Sequence, residues 1–291
     1  MSILRTIKTY FILTKPRLWL LLVYTGMAGY VIASNGFINP QIFTILLISL
    51  ISGTAGANTI TSYIDRDIDA IMVRTKNRPL PRGDIDPPIK ALYFGCILAG
   101  IAIVTSWMLN LLALAFMLFG LFDNIVIYSY LTKRRTPWNI ILGSFSGGAP
   151  AVIGYVTYTN QFTLEALILA AFIVIWTPIH IWSLALFYRD DYRRAGVPML
   201  PAVVDESKAI KCIGCSAIIL IFFSLILPIL DSRFLTPVYI IPVVSLDALI
   251  AVLSAKLILR PRMRTSWVLF KLTSPYLAIV FTLGILCACM H

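Results

Sequence analysis

Residues 41–69 read QIFTILLISLISGTAGANTITSYIDRDID, and this stretch decides the predicted fold class. Its first 24 residues contain no charged side chain, whereas three of its last five are aspartates. About 20 consecutive apolar residues are enough for a helix to cross the hydrocarbon core of a bilayer. The stretch therefore predicts a membrane-spanning helix that ends in an acidic segment at the membrane surface.

The rest of the chain has the same composition. Of the 291 residues, 59% are hydrophobic and only 13% are charged. Soluble domains carry about 25% charged residues, so a soluble globular enzyme is excluded, as are disordered and collagen-like chains. We predict an all-α membrane protein in which residues 1–291 form a single domain. Nine segments are long and apolar enough to span the membrane: 18–36, 41–62, 88–107, 110–131, 138–158, 162–187, 208–230, 236–257 and 268–290.

The basic residues predict how the chain is oriented in the membrane. The net charge of +11 would suggest nucleic acid binding in a soluble protein, but in a membrane protein it more often reports topology. Lys and Arg concentrate on the cytoplasmic side of membrane proteins. We therefore expect a protein of the cell membrane with its N-terminus in the cytoplasm and His291 on the outer side. Since the charge reports topology, we expect no nucleic acid partner. Of the 24 Lys and Arg residues, 22 fall in the N-terminal segment and in the loops 63–90, 132–137, 188–211 and 256–265.

Two acidic clusters follow the second and sixth predicted spans. The first acidic cluster, residues 63–69, places Asp65 and Asp69 four residues apart, so on a continuing helix both carboxylates face the same way. The second acidic cluster, residues 188–201, begins with Asp190 and Asp191 about 125 residues later. We infer a weak internal repeat of two four-helix units plus a ninth helix, which would bring the two clusters face to face across a central cavity.

Carboxylates crowded at the membrane surface predict a divalent-cation site, and oxygen ligands beside a polyphosphate suit Mg²⁺. The loop after the first acidic cluster adds Arg74, Lys76, Arg78 and Arg82, and such cations bind phosphate groups. Together they predict a diphosphate site, with the loops 63–90 and 188–208 as its cytoplasmic cap. The alternative is that acidic residues at the helix ends only offset the charge of the basic loops.

With these motifs the chain resembles the UbiA-type intramembrane prenyltransferases, and within them the protohaem IX farnesyltransferases, a branch that modifies haem. The superfamily has one Asp-rich motif after its second helix and another after its sixth, onto which the two acidic clusters fall. One departure is Thr61, where the family commonly has Asn; Asn58 lies one turn earlier. The narrower resemblance rests on four stretches: 13–17, 65–83, 136–150 and 176–201.

The resemblance implies transfer of a polyprenyl (farnesyl) group from its diphosphate to a vinyl group of haem B, with addition of water, giving haem O. It implies a Mg²⁺ cofactor held on the diphosphate by Asp65, Asp69, Asp190 and Asp191. The implied partners are haem B and a polyprenyl diphosphate as substrates, the lipid bilayer, and a haem A synthase or terminal oxidase assembly that receives the product. The cations expected at the diphosphate are Lys15, Arg17, Arg74, Lys76, Arg78, Lys133 and Arg189.

His180 lies inside the sixth predicted span, two to three helical turns before Asp190. A lone His on an apolar helix is usually packed and hydrogen-bonded, but ionisable groups within spans are rare and tend to face cavities. We expect His180 to contact haem, either as an axial iron ligand or as a base for the attacking water. The pair Thr177-Pro178 predicts a break in this helix.

Two further acidic residues, Asp123 and Asp247, lie inside matching spans of the two halves. Each costs about 2.5–3.5 kcal/mol at a helix centre, so we expect hydrogen-bond partners within the bundle. Gly143 and Gly147 predict close packing of the fifth span. Two alternative functions stay open: a prenyltransferase acting on a quinone precursor or a lipid headgroup, and a transporter with internal repeats.

Overall fold

The structure is a computed structural model of the chain, and it describes residues 3–290. Within that range every regular element is helical. Nine helices are long and apolar enough to cross a membrane, as predicted, and no end differs from its prediction by more than five residues. The position predicted for His291 lies outside the described residues. We number the nine helices as spans 1–9: Pro16–Ala33, Pro40–Ile64, Ile89–Leu109, Leu111–Thr132, Asn139–Thr159, Leu164–Phe187, Glu206–Leu230, Pro237–Leu259 and Met263–Cys289.

Side-chain caps fix where several spans begin. The Asn39 carboxamide oxygen accepts the backbone N–H groups of Gln41 and Ile42 at the start of span 2. Asn110 and Thr163 cap spans 4 and 6 in the same way. Such caps satisfy amide groups that have no partner within the helix, and they allow the short connections found at this end of the bundle.

Consecutive spans pack side by side in a ring that closes where span 9 packs against span 1, and a further contact joins spans 1 and 5 across the ring. Spans 1–4 make the same series of neighbour contacts as spans 5–8, while span 9 packs against both span 1 and span 6. This arrangement confirms the predicted two four-helix units plus a ninth helix. The helices surround a central cavity of about 770 Å³.

Glycines allow the closest helix contacts in the ring. Gly154 of span 5 lies against the carbonyl group of Gly26 of span 1, so a Cβ at position 154 would overlap that oxygen. A Cβ on Gly143 would lie 2.6 Å from the Cβ atom of Tyr128 in span 4. The predicted packing role of Gly143 is therefore confirmed, because only a residue without a side chain fits there.

Span 6 runs unbroken from Leu164 to Phe187, so the break predicted at Thr177-Pro178 is wrong. Spans 5, 7 and 9 all pack against span 6 and hold it continuous although Pro178 lacks an N–H group. The Thr177 hydroxyl group turns back to donate to the carbonyl oxygen of Ile173 at 2.7 Å. Irregular segments lie instead in span 4, where Asp123–Thr132 forms a π-helix, and in span 5, which is interrupted at residues 143–144.

Both carboxylates inside the membrane have partners in the bundle, as predicted. Asp123 accepts the backbone N–H of Ser146 at 2.7 Å, and this bond joins span 4 to span 5. Asp247 accepts hydrogen bonds from the hydroxyl groups of Ser224 at 2.7 Å and Tyr276 at 2.9 Å. These contacts join spans 7, 8 and 9 and satisfy groups that would otherwise be costly to bury.

The segments outside the spans cover one end of the ring. An N-terminal helix, Ile3–Leu13, precedes span 1, and its Leu13 packs against Leu80 and Ile85 in the loop after span 2. The loops after spans 2 and 6 contain three further short helices, which carry or adjoin the two acidic clusters: Arg66–Ile71, Arg189–Arg194 and Leu200–Val203.

Candidate active site

The first acidic cluster lies at the junction between span 2 and the short helix Arg66–Ile71. Asp65 stands at the junction, and the backbone N–H of Asp69 donates to the carbonyl oxygen of Asp65 at 2.8 Å. The helical relation predicted for this pair is therefore kept. Both residues are buried, with exposed fractions of 2% and 5%, although they are acidic.

Each of these buried carboxylates is paired with a cation. Asp65 forms an ion pair with Lys133 of the loop between spans 4 and 5, and Asp69 accepts two hydrogen bonds from Nη1 of Arg78, at 2.9 and 2.8 Å. Burial alone would lower the pKa of Lys133, but the adjacent Asp65 carboxylate holds that pKa above its ordinary value. The pairs explain how this end of the bundle tolerates two buried acidic groups.

One oxygen of the first acidic cluster remains free. Oδ1 of Asp65 is buried and has no hydrogen-bond partner among residues 3–290. A carboxylate oxygen with unused lone pairs is a suitable ligand for a hard divalent cation. The residues at this position therefore fit a metal ion of the predicted kind.

The second acidic cluster is arranged differently. Asp191 is 5% exposed and accepts the backbone N–H groups of Val73 at 3.3 Å and Arg74 at 3.0 Å, besides an ion pair with Arg194. Asp191 thus joins the loop after span 6 to the loop after span 2. Asp190 is exposed to solvent. The two acidic clusters lie at the same end of the bundle, as predicted, but their carboxylates have different neighbours.

Within the described part of the chain, no three His, Cys, Asp or Glu side chains are grouped closely enough to hold a metal ion by themselves. A cation bound at these carboxylates would therefore need further oxygen ligands from another source. Phosphate oxygens are such ligands, since Mg²⁺ is usually bound by one or two carboxylates together with substrate phosphates.

Three of the seven predicted phosphate-binding cations, Arg17, Arg74 and Arg78, line the central cavity. Lys15 lies beside them in a smaller pocket of about 130 Å³ that it shares with Asp69 and Arg78. Burial, and next the positive charge of Arg78, lower the pKa of Lys15 from 10.5 to about 7. A second negative group entering beside Lys15 would stabilise its charged form.

The remaining predicted cations lie elsewhere. Arg189 donates to the carbonyl oxygen of Val204 at 2.5 Å and lies 3.5 Å from the Glu206 carboxylate, so its side chain stabilises the loop after span 6. Lys76 is exposed, and neither it nor Arg189 lines the central cavity. Lys133 is occupied by Asp65, with its Nζ atom 5.6 Å from the centre of the Tyr128 ring.

Below its arginines the central cavity is mostly apolar, and its volume is in the range of small-molecule binding sites. Aromatic and imidazole rings line the wall formed by spans 6 and 9. Such a cavity has room for an extended hydrocarbon chain and a flat apolar group. The apolar lining residues come from spans 1, 2, 4, 5 and 6 and include Leu18, Leu22, Leu50, Phe116, Met117, Ile153 and Leu184.

His180 is one of the residues that line this cavity. Its ring is stacked between Trp176, with ring centres 4.3 Å apart, and Phe270, at 4.5 Å. Its Nδ1 atom lies 2.8 Å from Oγ1 of Thr273. The prediction that His180 faces a cavity is confirmed, and so is the expectation that it is packed and hydrogen-bonded.

Several cavity residues were not expected from the sequence. Asn58 lines the cavity, whereas the Thr61 hydroxyl group donates to the Asn58 carbonyl oxygen at 3.1 Å and so stays within span 2. Asn124 also lines the cavity, and its position beside Asp123 in an apolar span was a signal that could have revealed it. Phe270 comes from span 9, for which the repeat predicted no site residue.

Comparison with known proteins identifies the family. Residues 22–286 match the UbiA prenyltransferase family. The chain is 48% identical over 280 residues to the protein named protoheme IX farnesyltransferase in Thermoplasma volcanium, and this match covers 95% of the chain and 96% of the relative. This degree of identity over nearly the full length establishes common ancestry and not merely a shared composition.

Solved structures agree with this assignment at the level of fold. A structure described as that of a digeranylgeranylglyceryl phosphate synthase in membranes has a TM-score of 0.80 at 21% identity, covering 98% of this chain and 99% of that chain. A UbiA homolog from Archaeoglobus fulgidus bound to GPP and Mg²⁺ has a TM-score of 0.65 at 14% identity, covering 94% and 99%. The chain therefore belongs to the UbiA prenyltransferase family and is a multi-pass integral membrane prenyltransferase.

Proposed function

We propose that this chain transfers a farnesyl group from farnesyl diphosphate to a vinyl group of haem B, with addition of water, and so makes haem O. The observation that carries the proposal is the cavity whose lining includes both three arginines and the His180 wall. The relative from Thermoplasma volcanium, which is named protoheme IX farnesyltransferase, supports haem as the acceptor.

The arginine end of the cavity suits the diphosphate. Arg17, Arg74 and Arg78 would bind its oxygens and stabilise the negative charge that grows as the bond to the farnesyl group breaks. Asp65, Asp69, Asp190 and Asp191 are the carboxylates proposed to hold a divalent cation there, and Mg²⁺ suits their oxygen ligands. When bound, the cation supplies positive charge that makes diphosphate a better leaving group.

The four remaining predicted cations act less directly in this proposal. Lys15 lies near Asp69, and Lys133 is paired with Asp65. Each would contact a diphosphate that replaces its aspartate as the partner of the ammonium group. Lys76 and Arg189 contribute to the positive potential of the cap. Opposite charges near the entrance favour entry of an anionic substrate.

The rest of the cavity would protect the reactive intermediate. Breaking the carbon–oxygen bond leaves an allylic carbocation on the farnesyl group, which the apolar lining shields from bulk water. The vinyl group of haem B then forms the new carbon–carbon bond, and one water molecule adds to the resulting cation and loses a proton. The ring of Tyr128 offers an aromatic face to positive charge in this region.

We further propose that the arginine end faces the cytoplasm in the cell membrane, with the N-terminus on that side. The concentration of Lys and Arg in the loops at this end supports that orientation. The loops 63–90 and 188–208 form a cap over the diphosphate, and the hydrogen bonds from Val73 and Arg74 to Asp191 support their joining. The product would pass to a haem A synthase or a terminal oxidase assembly.

The decisive test is the mass of the product. The purified chain, reconstituted in liposomes with Mg²⁺, is incubated with haem B and farnesyl diphosphate, and the pigments are analysed by mass spectrometry. We expect a product heavier than haem B by one farnesyl group plus one hydroxyl group. Parallel incubations replace haem B with 4-hydroxybenzoate or with a glycerol phosphate lipid. A product only in one of these would contradict the proposal and identify another acceptor class.

A further inference from the structure

His180 and Thr273 meet between spans 6 and 9, and their hydrogen bonds determine which ring nitrogen carries the proton. Oγ1 of Thr273 lies 2.8 Å from Nδ1 of His180 and 2.8 Å from the carbonyl oxygen of Phe270. A hydroxyl group has one proton, and a carbonyl oxygen only accepts. We assign the Thr273 proton to the Phe270 carbonyl oxygen, so that the bond between Thr273 and His180 is donated by Nδ1–H.

The other ring nitrogen is then left with a lone pair. The ring is buried between aromatic side chains and has no carboxylate partner among residues 3–290, which favours its neutral form. In a neutral imidazole with a proton on Nδ1, Nε2 is unprotonated. The contact with Thr273 is made by Nδ1, and His180 lines the central cavity. The Nε2 lone pair is available to a molecule in that cavity.

Thr273 also fixes the orientation of the ring. Its backbone carbonyl oxygen accepts the indole N–H of Trp176 at 2.7 Å, and the Trp176 ring is stacked on His180 at an interplanar angle of 19°. The Phe270 ring also packs against His180, with ring centres 4.5 Å apart and an interplanar angle of 31°. One residue of span 9 thus holds two successive ring residues of span 6, so the imidazole can neither turn over nor tilt freely.

We propose that Thr273 is a positioning residue that keeps His180 in the Nδ1–H form, so that Nε2 binds the iron of the haem substrate. This inference rests on the proposed function, which supplies haem as the molecule in the cavity. Histidines that bind metals almost always donate the other ring N–H to an acceptor, which fixes the tautomer. Neutral imidazole is a common axial ligand of haem iron.

The tautomer can be measured without any substrate. The chain contains only two histidines, His180 and His291, so ¹⁵N-histidine labelling of the full chain in detergent gives two imidazole spectra. The variant His180→Asn assigns them. We expect His180 to show a protonated Nδ1 and an unprotonated Nε2. A protonated Nε2 in the unaltered chain would overturn the inference, whatever acceptor the enzyme uses.

Substitution of Thr273 tests the cause. Thr273→Val keeps the shape but removes the acceptor, so the proton should move to Nε2; Thr273→Ser should keep it on Nδ1. Thr265→Val is the matched control, since Thr265 is buried on the same helix and does not line the cavity. An unchanged tautomer in Thr273→Val, with the helical content retained by circular dichroism, would contradict the positioning role.

Haem binding tests the ligand role. Titration of the full chain with ferric haem B should give the absorption spectrum of a histidine-ligated iron, which His180→Ala abolishes. We expect Thr273→Val to weaken haem binding about 10-fold and to lose that spectrum, while Thr273→Ser and Thr265→Val keep it. If Thr273→Val changes the tautomer but neither the spectrum nor the affinity for haem, the positioning role of Thr273 is contradicted; an unchanged spectrum in His180→Ala would contradict iron ligation by Nε2. The product mass from the unaltered chain tests the proposed function separately.

Discussion

The two acidic clusters occupy equivalent places in the two halves of the chain, yet the structure uses them differently. In the first acidic cluster both Asp65 and Asp69 are buried, and each is paired with a cation from another segment. In the second acidic cluster Asp191 accepts backbone N–H groups of the other loop, while Asp190 is exposed. The difference teaches that similar motifs in a repeat need not make similar contacts.

The physical reason lies in what surrounds each cluster. The first acidic cluster lies against the loop that carries Lys133 and the loop after span 2 that carries Arg78. Its carboxylates are therefore neutralised by ion pairs with these two side chains. The second meets the backbone of residues 73–74, which offers N–H donors and no net charge. We infer that in the first acidic cluster a metal and a diphosphate can replace the present cation partners of the carboxylates, and that in the second Asp191 also connects the two loops of the cap.

Lys133→Met should have the largest effect on stability. It removes the partner of Asp65 and leaves a buried carboxylate without compensation, which typically costs about 3–5 kcal/mol. We expect a clear fall in the melting temperature in detergent, measured by circular dichroism. The double variant Lys133→Met with Asp65→Asn should recover much of it. No fall in the single variant would show that the pair does not stabilise the first acidic cluster.

Asp65→Asn should have the largest effect on the reaction. It removes the negative charge from the oxygen that has no partner in the structure, and we expect kcat to fall about 10²- to 10³-fold, as for loss of one group that stabilises charge in a transition state. Product formation from haem B and farnesyl diphosphate is the measurement. Activity within threefold of the unaltered enzyme would remove Asp65 from the proposed metal site.

Asp191→Asn should loosen the contact between the two loops. Its amide group would place an N–H opposite one of the two backbone N–H groups, and hydrogen bonds to charged groups contribute about 1.5–3 kcal/mol. We expect the amides of Val73 and Arg74 to exchange hydrogen about 10- to 100-fold faster, measured by mass spectrometry. Unchanged hydrogen-exchange rates at both amides would contradict the proposal that Asp191 joins the two loops.

Asp190→Asn should weaken metal binding without changing the structure of the cap. Asp190 is exposed, so its loss should leave hydrogen exchange at residues 73–74 unchanged. As a proposed oxygen ligand, its replacement should raise the Mg²⁺ concentration for half-maximal activity about 10-fold, since one anionic ligand of a hard cation is removed. An identical Mg²⁺ dependence in both enzymes would exclude Asp190 as a ligand.

Arg194→Met should have the smallest effect and serves as the counterpart of Lys133→Met. The Arg194 side chain is 57% exposed, whereas that of Lys133 is 16% exposed. Asp191 keeps its two backbone N–H donors when Arg194 is replaced, and an ion pair with a mostly exposed cation contributes about 0–1 kcal/mol, so the melting temperature should hardly change. A fall in melting temperature as large as that of Lys133→Met would mean that ion pairs stabilise the two acidic clusters equally. It would contradict the proposed difference between the clusters.

Much of the site was predictable because motif positions are local properties of the sequence. The sequence placed both acidic clusters at helix ends on one face, and the structure brings them to the same end of the bundle. It did not predict that Asp191 holds backbone groups of residues 73–74, because that contact joins residues 117 and 118 positions apart. Nor did it predict the continuity of span 6 through Pro178, which depends on the helices packed around it.

The sequence by itself determined the nine spans, their alternation and the position of His180 within one of them. It could do so because hydropathy and charge act on each segment separately through its transfer into the bilayer. Only the tertiary structure decided that span 9 supplies Thr273 to His180, that Asp65 keeps one free oxygen, and that Arg189 turns away from the cavity. Those features depend on which side chains from distant segments come within about 3 Å of each other, and hydrogen bonds act only at that range.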